Sequence, residues 1–415
     1  MTDEIINRTE LQNGIRVISE YVGTVYSVSL GFWVITGSKD DTAATSGIAH
    51  LIEHMMFKGT RKRTAFQIAN AVESVGGIIN AFTSKNVTCY FLQILHDHLE
   101  KGIDVLADLV LNDTFENNQL QKEKGIILEE IKEIEDTPGE LIHDVFNQQI
   151  FPDHPLGWPI QGTRDSINSI QIADLMTFVA QNYTTGRLVV AASGRIEHAR
   201  LVELVEKYCH TMQPGNDRTP VKYELGVPER QQIIHKPISQ AHLILGRRIF
   251  PQSDPRRFQL ALLNTLLSGG MSSRLFHNIR EKYGFVYEVF SFSDLFFHEG
   301  VFGIYAGTAV GKLEKLKVKL YAEMSKLVRR KVPVDELEKV KQQSKSSTVF
   351  ALENTNSRMS HLAKMEIYEK RLFTFAELLA IIEKISVEEI QQLAEYLFIP
   401  DQFIETVFLP EKSSG

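Results

Sequence analysis

Three residues within five positions, His50, Glu53 and His54, carry the most specific chemistry in the chain. On an α-helix each residue turns about 100°, so positions i and i+4 lie about 40° apart and two imidazoles reach one ion. Glu53, at i+3, falls on the same side and is free to take a proton from a water that the ion activates, the task of the general base in metal-assisted hydrolysis. The order His-x-x-Glu-His is the inverted zincin pattern. The competing reading is two core-facing histidines that only hydrogen-bond, because Ile48, Leu51, Ile52, Met55 and Met56 make the same helix largely buried.

Two histidines leave a catalytic zinc one protein ligand short, and a carboxylate fills such sites. The periodic segment Asn117 to Asp136 offers several. With Ile127 as origin, Leu120, Ile131 and Ile134 mark the core stripe within about 40°, and Glu130 and Glu123 fall together at its edge, whereas Glu129 and Glu133 point further towards solvent. Glu123 and Glu130 are two turns apart, about 10 Å along the axis, so both cannot bind one ion. Phase alone leaves either as the third ligand, or as an ordinary carboxylate on a solvated face.

These side chains need a scaffold. The spacing predicts strands around the Asn13-Gly14 turn and over Tyr26 to Ile35, helices over Ser46 to Phe57 and Ala65 to Val75, paired strands over Ile78 to Leu95, and helices over His98 to Leu111 and Asn117 to Asp136. Leu188 to Gly194 reads as a buried strand feeding a helix Ala199 to His210. A polar stretch with Pro214, Gly215, Asp217, Pro220 and Pro228 reads as a linker. Beyond it come strand His242 to Gly246, helix Phe258 to Leu267, strands Val286 to Ser293 and Gly300 to Gly307, helices Val310 to Arg329 and Val334 to Leu352, and strand Ile404 to Leu409. The expectation is an α+β duplication: a domain over residues 1–213, a linker over 214–232 and a related, metal-free domain over 233–415, each a mostly antiparallel sheet with helices packed against it.

The chain has 415 residues, 43% hydrophobic and 23% charged, enough for two cores and too many for a hormone or a disulfide mini-protein. Forty-five basic against 52 acidic side chains leave a net charge of −7, which argues against a dedicated nucleic-acid binder. Two cysteines, Cys89 and Cys209, make no disulfide framework and fit a reducing, cytoplasmic setting. No apolar run approaches the roughly 20 residues of a spanning helix, and the first residues lack the apolar core of a secretory signal, so no membrane association is expected.

The motif in its setting Gly47 to Thr60, followed by Glu123 to Glu130, resembles the M16 metallopeptidases, the pitrilysin and mitochondrial-processing-peptidase family. The resemblance implies the LuxS/processing-peptidase-like metallohydrolase fold and one Zn²⁺ per chain. His50, His54 and Glu130 would hold it, Glu123 would support them, and Glu53 would be the base. Gly76 to Thr83 resembles the family's edge strand, which implies that Asn80, Ala81, Phe82 and Thr83 bind substrate by adding its backbone to the sheet. Ser273 to Tyr287 resembles the segment with the family's Arg/Tyr pair, here Arg280 and Tyr287. The guanidinium would hold a peptide carbonyl and the phenol would donate to the developing oxyanion.

The length resembles that of the half-length subfamily. That implies a homodimer with composite active sites, in which peptides or unfolded segments are hydrolysed inside a closed chamber. The alternative implied by the same family is a non-catalytic core or partner subunit that keeps the fold without the chemistry.

Overall fold

The computed structural model describes residues 5–215, 224–369 and 371–411, which divide into two compact units. Unit 1 holds a six-stranded sheet in the order β1-β2-β6-β3-β5-β4. Its strands are β1 (Ile5–Glu10), β2 (Arg16–Tyr21), β3 (Ser27–Val34), β4 (Ile78–Thr83), β5 (Thr88–Leu95) and β6 (Leu188–Gly194). Every neighbouring pair is antiparallel except β2 with β6. The turn between β1 and β2 is the expected one, with Gly14 at φ 93°, a region that side chains with a Cβ avoid. Helices α1 (Ile48–Met56), α2 (Ala65–Glu73), α3 (Leu99–Leu111), α4 (Asn117–Glu135), α5 (Pro138–Ile150), α6 (Arg164–Ser169), α7 (Ile172–Asn182) and α8 (His198–Cys209) follow along the chain. All but α5 lie wholly or mainly in unit 1.

β6 is buried along its whole length and β3 almost so, the apolar run expected of strands covered on both faces. The second cover is α12 (Thr355–Tyr368), which follows α9 (Arg257–Ser268), α10 (Leu313–Arg329) and α11 (Val334–Leu352) in the chain yet packs on β6, β3 and β2. Its contacts mix packing and charge. Arg358 pairs with Glu20, buried Glu366 accepts from Arg8 Nε at 2.9 Å, and Trp33 Nε1 points at Met359 Sδ, 3.2 Å away. Gly31 permits that approach, since a Cβ there would lie 2.7 Å from Met359 Sδ.

Unit 2 holds a five-stranded sheet, β7-β11-β8-β10-β9, from β7 (Gln231–Lys236), β8 (Ala241–Ile249), β9 (Val286–Leu295), β10 (Gly300–Thr308) and β11 (Ile404–Pro410). Only β7 with β11 is parallel. α5 packs on β8 and β11. Its Phe146 fills the space over Gly246, where a Cβ would come within 2.3 Å of the ring, and its Gln149 accepts from Thr406 Oγ1 at 2.5 Å. α13 (Phe375–Lys384) and α14 (Val387–Leu397) complete the chain's helices.

The expected duplication is present in the topology. β2, β6, β3, β5 and β4 follow one another across sheet 1 with the same parallel and antiparallel pattern as β7, β11, β8, β10 and β9 across sheet 2. The contiguous division of the chain needs correcting. Residues 133–157 belong to unit 2 and residues 350–375 to unit 1, so each sheet takes a covering helix from the other half of the sequence. Periodicity identifies an amphipathic helix but not the sheet it will cover. Within the predicted linker, residues 216–223 lie outside the described residues, as do residues 1–4 of the N-terminal stretch.

Candidate metal centre

α1 begins at Gly47, whose φ of 92° turns the chain into the helix. The first-turn N–H groups meet a buried acceptor: Asp41 Oδ2 takes the Gly47 N–H at 2.8 Å and Oδ1 the Ala49 N–H at 3.3 Å. Burial pushes the Asp41 carboxyl well above the usual range, while the two N–H groups and Lys85 pull it back. Ile48, Leu51, Ile52, Met55 and Met56 are each no more than 2% exposed, so the apolar face anchors the helix and leaves His50, Glu53 and His54 on the remaining, half-buried side.

α4 carries the third group. Leu120, Ile127 and Ile131 form its buried stripe, as the phase predicts. Glu130 Oε2 lies 3.9 Å from His50 Nε2, and its Oε1 lies 3.8 Å from His54 Nε2. One ligand atom from each of His50, His54 and Glu130 falls within 4.8 Å of the others, the sole such His, Cys, Asp or Glu group among the described residues. Glu123 sits elsewhere. Buried to 3% exposure, it faces His54 Nδ1 at 3.3 Å and accepts from Lys58 Nζ at 2.9 Å. The two carboxylates are thereby separated: Glu130 lies nearest the Nε2 atoms of both imidazoles, and Glu123 faces the other ring nitrogen of His54. Burial, and secondarily His54, bring the His50 pKa down to about 4, so its imidazole is neutral and its lone pair is available to a cation. Two imidazoles and a carboxylate are the protein donor set of a zinc site with an open position, and the residues present fit that ion.

Glu53 stands beside this set. Its Oε2 accepts the Thr83 hydroxyl at 2.6 Å, and burial raises its carboxyl above the ordinary range, with the Thr83 bond and His54 opposing the shift. Thr83 ends β4, an edge strand paired only with β5, in the register Ile78↔Gln93 to Thr83↔Thr88. The edge-strand expectation for residues 80–83 therefore matches the architecture, but the side chains have separate surroundings. Asn80 Oδ1 accepts the N–H of Ala81 at 2.8 Å, Phe82 meets Trp33 edge-on at 5.4 Å, Ala81 packs against the core, and Thr83 is turned to Glu53.

Arg280 and Tyr287 belong to unit 2. Arg280 lies in a π-helical turn, Phe276–Glu281, with its guanidinium 4.8 Å from the Phe276 ring centre. Tyr287, 63% exposed, sits where the β9–β10 register slips: Gly307 pairs with Glu288 and Thr308 with Val286, so Tyr287 is the extra residue of a β-bulge. A bulge re-aims a side chain out of the regular alternation, and here Tyr287 and Glu288 are both exposed in succession. Sequence reasoning had no signal for that bulge. It also missed Asp41, Lys58 and the Thr83–Glu53 bond, whose residues look like ordinary loop and strand polar groups until the chain is folded.

Comparison with known proteins identifies the family. Residues 16–164 match the family described as Insulinase (Peptidase family M16), and residues 169–344 match Peptidase M16 inactive domain. A relative from Bacillus subtilis, called uncharacterized zinc protease YmxG, is 36% identical over 96% of this chain and 97% of its own. The chain belongs to the M16 peptidase family. A Streptomyces coelicolor member, also called an uncharacterized zinc protease, is 34% identical over 94% of this chain and 86% of its own. Two solved structures share the M16 fold. A protease from Helicobacter pylori aligns with a TM-score of 0.92 at 22% identity, covering 98% of this chain and all of its own. A Pseudomonas fluorescens protein described as a peptidase M16 inactive domain reaches 0.91 at 21%, with 99% of each chain covered. The ligand set falls inside the residues 16–164 matched to the first M16 description, and the inactive-domain match begins beyond Glu130. Among the described residues no helix is long and apolar enough to cross a membrane.

Proposed function

We propose that the chain is a zinc-dependent endopeptidase that hydrolyses peptides or unfolded segments. The observation that carries this reading is the convergence of His50, His54 and Glu130 beside a carboxylate, Glu53, that is not itself one of the three. A zinc ion so held supplies Lewis acidity, polarising a carbonyl and acidifying a water. Glu53 takes the proton of the attacking water and later gives it to the amine that leaves; a carboxyl raised by burial is suited to both directions. Glu123 keeps His54 in the orientation that presents Nε2, and Lys58 neutralises Glu123. The open edge of β4 accepts substrate backbone as an added strand, which gives affinity without demanding one sequence.

The reading includes a homodimer in which Arg280 and Tyr287 of one chain act at the metal of the other within a closed chamber. Their exposure on a unit without a metal group among its described residues supports it, as does the resemblance to the half-length subfamily. The test is metal analysis of the purified protein beside a fluorogenic peptide-library assay, with and without chelator. About one zinc per chain with chelator-sensitive cleavage is expected; a zinc-loaded protein that cleaves no peptide would leave the non-catalytic partner role standing instead.

A further inference from the structure

Thr83 occupies the point where the proposed substrate strand meets the proposed base. Alternation along β4 sends Ile78, Asn80 and Phe82 to one face and Ile79, Ala81 and Thr83 to the other. Ile79 and Ala81 pack against the core of unit 1, and Thr83, last in the row, reaches α1 and touches Glu53. Its backbone has little freedom to drift. The hairpin that follows is closed by Ser84 N–H on Val87 O at 2.8 Å, and it is tied to the loop after β3 by Ser38 N–H on Ser84 O at 3.1 Å and Lys39 N–H on Lys85 O at 3.0 Å. Gly37 lies so close beneath the hairpin that a Cβ would come 2.2 Å from Ser84 O. The Lys85 ammonium donates to the Trp158 carbonyl.

A hydroxyl has one O–H to give, and an ionised carboxylate can only accept. The bond therefore runs from Thr83 to Glu53 Oε2, and no described residue donates to Oε1. We infer that Thr83 is a positioning residue that locks the Glu53 carboxylate by one oxygen, leaving Oε1 as the single oxygen at which the catalytic proton is received and released. The inference rests on the peptidase reading. In the first step an O–H bond of the attacking water breaks, its electron pair forms the new bond to the scissile carbonyl carbon, the carbonyl π pair moves to oxygen, and the proton goes to Oε1. In the second the pair on oxygen returns, the C–N bond breaks, and the Oε1 proton passes to the amine nitrogen, restoring the carboxylate. The Thr83 proton stays on its own oxygen throughout. Without this bond the terminal torsion of a glutamate is broad and the base loses its aim. The expected substrate-binding role of Thr83 is thus replaced for its side chain, which is committed to the base, while its strand still offers backbone at the edge.

The test compares zinc-loaded wild type with Thr83→Val, which keeps the shape and removes the O–H, and Thr83→Ser, which keeps the O–H. For Thr83→Val we expect kcat to fall about 10- to 100-fold, as orienting partners typically cost, with KM, zinc content and melting temperature unchanged, and Thr83→Ser to restore most of the rate. Wild-type kcat in Thr83→Val, a Thr83→Ser as slow as Thr83→Val, or a rise in KM at constant kcat would each overturn the inference. Crystal structures of the zinc-loaded wild type and Thr83→Val judge the contact without reference to turnover, even if the valine variant is less stable. The bond is expected in the first and a turned Glu53 carboxylate in the second; an unchanged carboxylate contradicts the role. If Glu53→Gln abolishes cleavage and Thr83→Val does not, only this inference fails. If the zinc-loaded wild type cleaves nothing, it is the peptidase reading that fails.

Discussion

The two halves of the chain run the same course and carry different side chains at corresponding places. After β3 the first half makes α1 and α2 before reaching edge strand β4; after β8 the second makes α9 and the π-helical turn before edge strand β9. α1 offers two imidazoles and a carboxylate, whereas α9 offers Leu260, Leu262, Leu263, Leu266 and Leu267 to its core, with Asn264 bonded to Ser293. α4 follows α3 and brings Glu130. α11 follows α10 in the same order and carries no Asp or Glu from Gln342 to Leu352. Both helices start against an upstream aspartate: Asp41 accepts the N–H groups of Gly47 and Ala49 at α1, and Asp254 accepts that of Arg256 at α9. β4 pairs in unbroken register, while β9 carries the bulge that turns out Tyr287. The same sheet order recurs in both halves, and the His50, His54 and Glu130 group lies on one copy of that shared frame.

Glu53→Gln tests this contrast most severely. Removing a general base costs about 10²- to 10⁴-fold, so cleavage should nearly vanish while zinc content stays at the wild-type level, whereas His50→Ala, His54→Ala and Glu130→Gln should lose the metal by elemental analysis. Appreciable turnover by Glu53→Gln would end the asymmetry in chemistry between the halves.

Tyr287 probes what the second half contributes. Loss of one oxyanion donor costs about 10²- to 10³-fold, so Tyr287→Phe should be correspondingly slow with zinc intact. Mixing Glu53→Gln chains with Tyr287→Phe chains should return part of the activity if sites are shared between chains. No recovery, although light scattering shows that subunits exchange, would confine each site to its own chain.

Glu123→Gln should weaken zinc affinity or activity by about 10- to 100-fold, the usual effect of an orienting partner, and less than Glu130→Gln does in a competition titration against a metal indicator. The opposite ranking would exchange the roles of the two carboxylates on α4.

The smallest effect concerns the cap. Asp41→Ala should cost about 1–2 kcal/mol of stability, read as a lower denaturant midpoint in tryptophan fluorescence. Both tryptophans, Trp33 and Trp158, lie in unit 1, so the signal reports the metal-bearing half. An unchanged midpoint would mean that α1 starts equally well without its buried acceptor.

Much of this was legible in the linear chain because it depends on local period. Five positions at helical spacing define the histidine pair and Glu53, and helical phase along α4 singles out Glu123 and Glu130 as candidates to join them. Most long strands and helices, from β3 to α11, lie close to where alternation or a 3.6-residue period predicts them. The elements that the sequence reading did not yield are β7, α5, α6, α7 and α12 to α14. α12 is the clearest case, with Arg358 and Glu366 among its residues, because its charges are satisfied by Glu20, Arg8 and Arg16 on another segment.

By itself the sequence determined the donor types, their spacing on α1 and the duplicated order of strands and helices, since each is a property of neighbours within a few turns. Only the tertiary structure decided which carboxylate converges on the imidazoles, that Glu123 and Lys58 stand behind His54, that Thr83 holds Glu53, and which helix covers which sheet. Those are contacts between segments tens to hundreds of residues apart, and they depend on how far each apolar face turns its polar neighbours as it is buried.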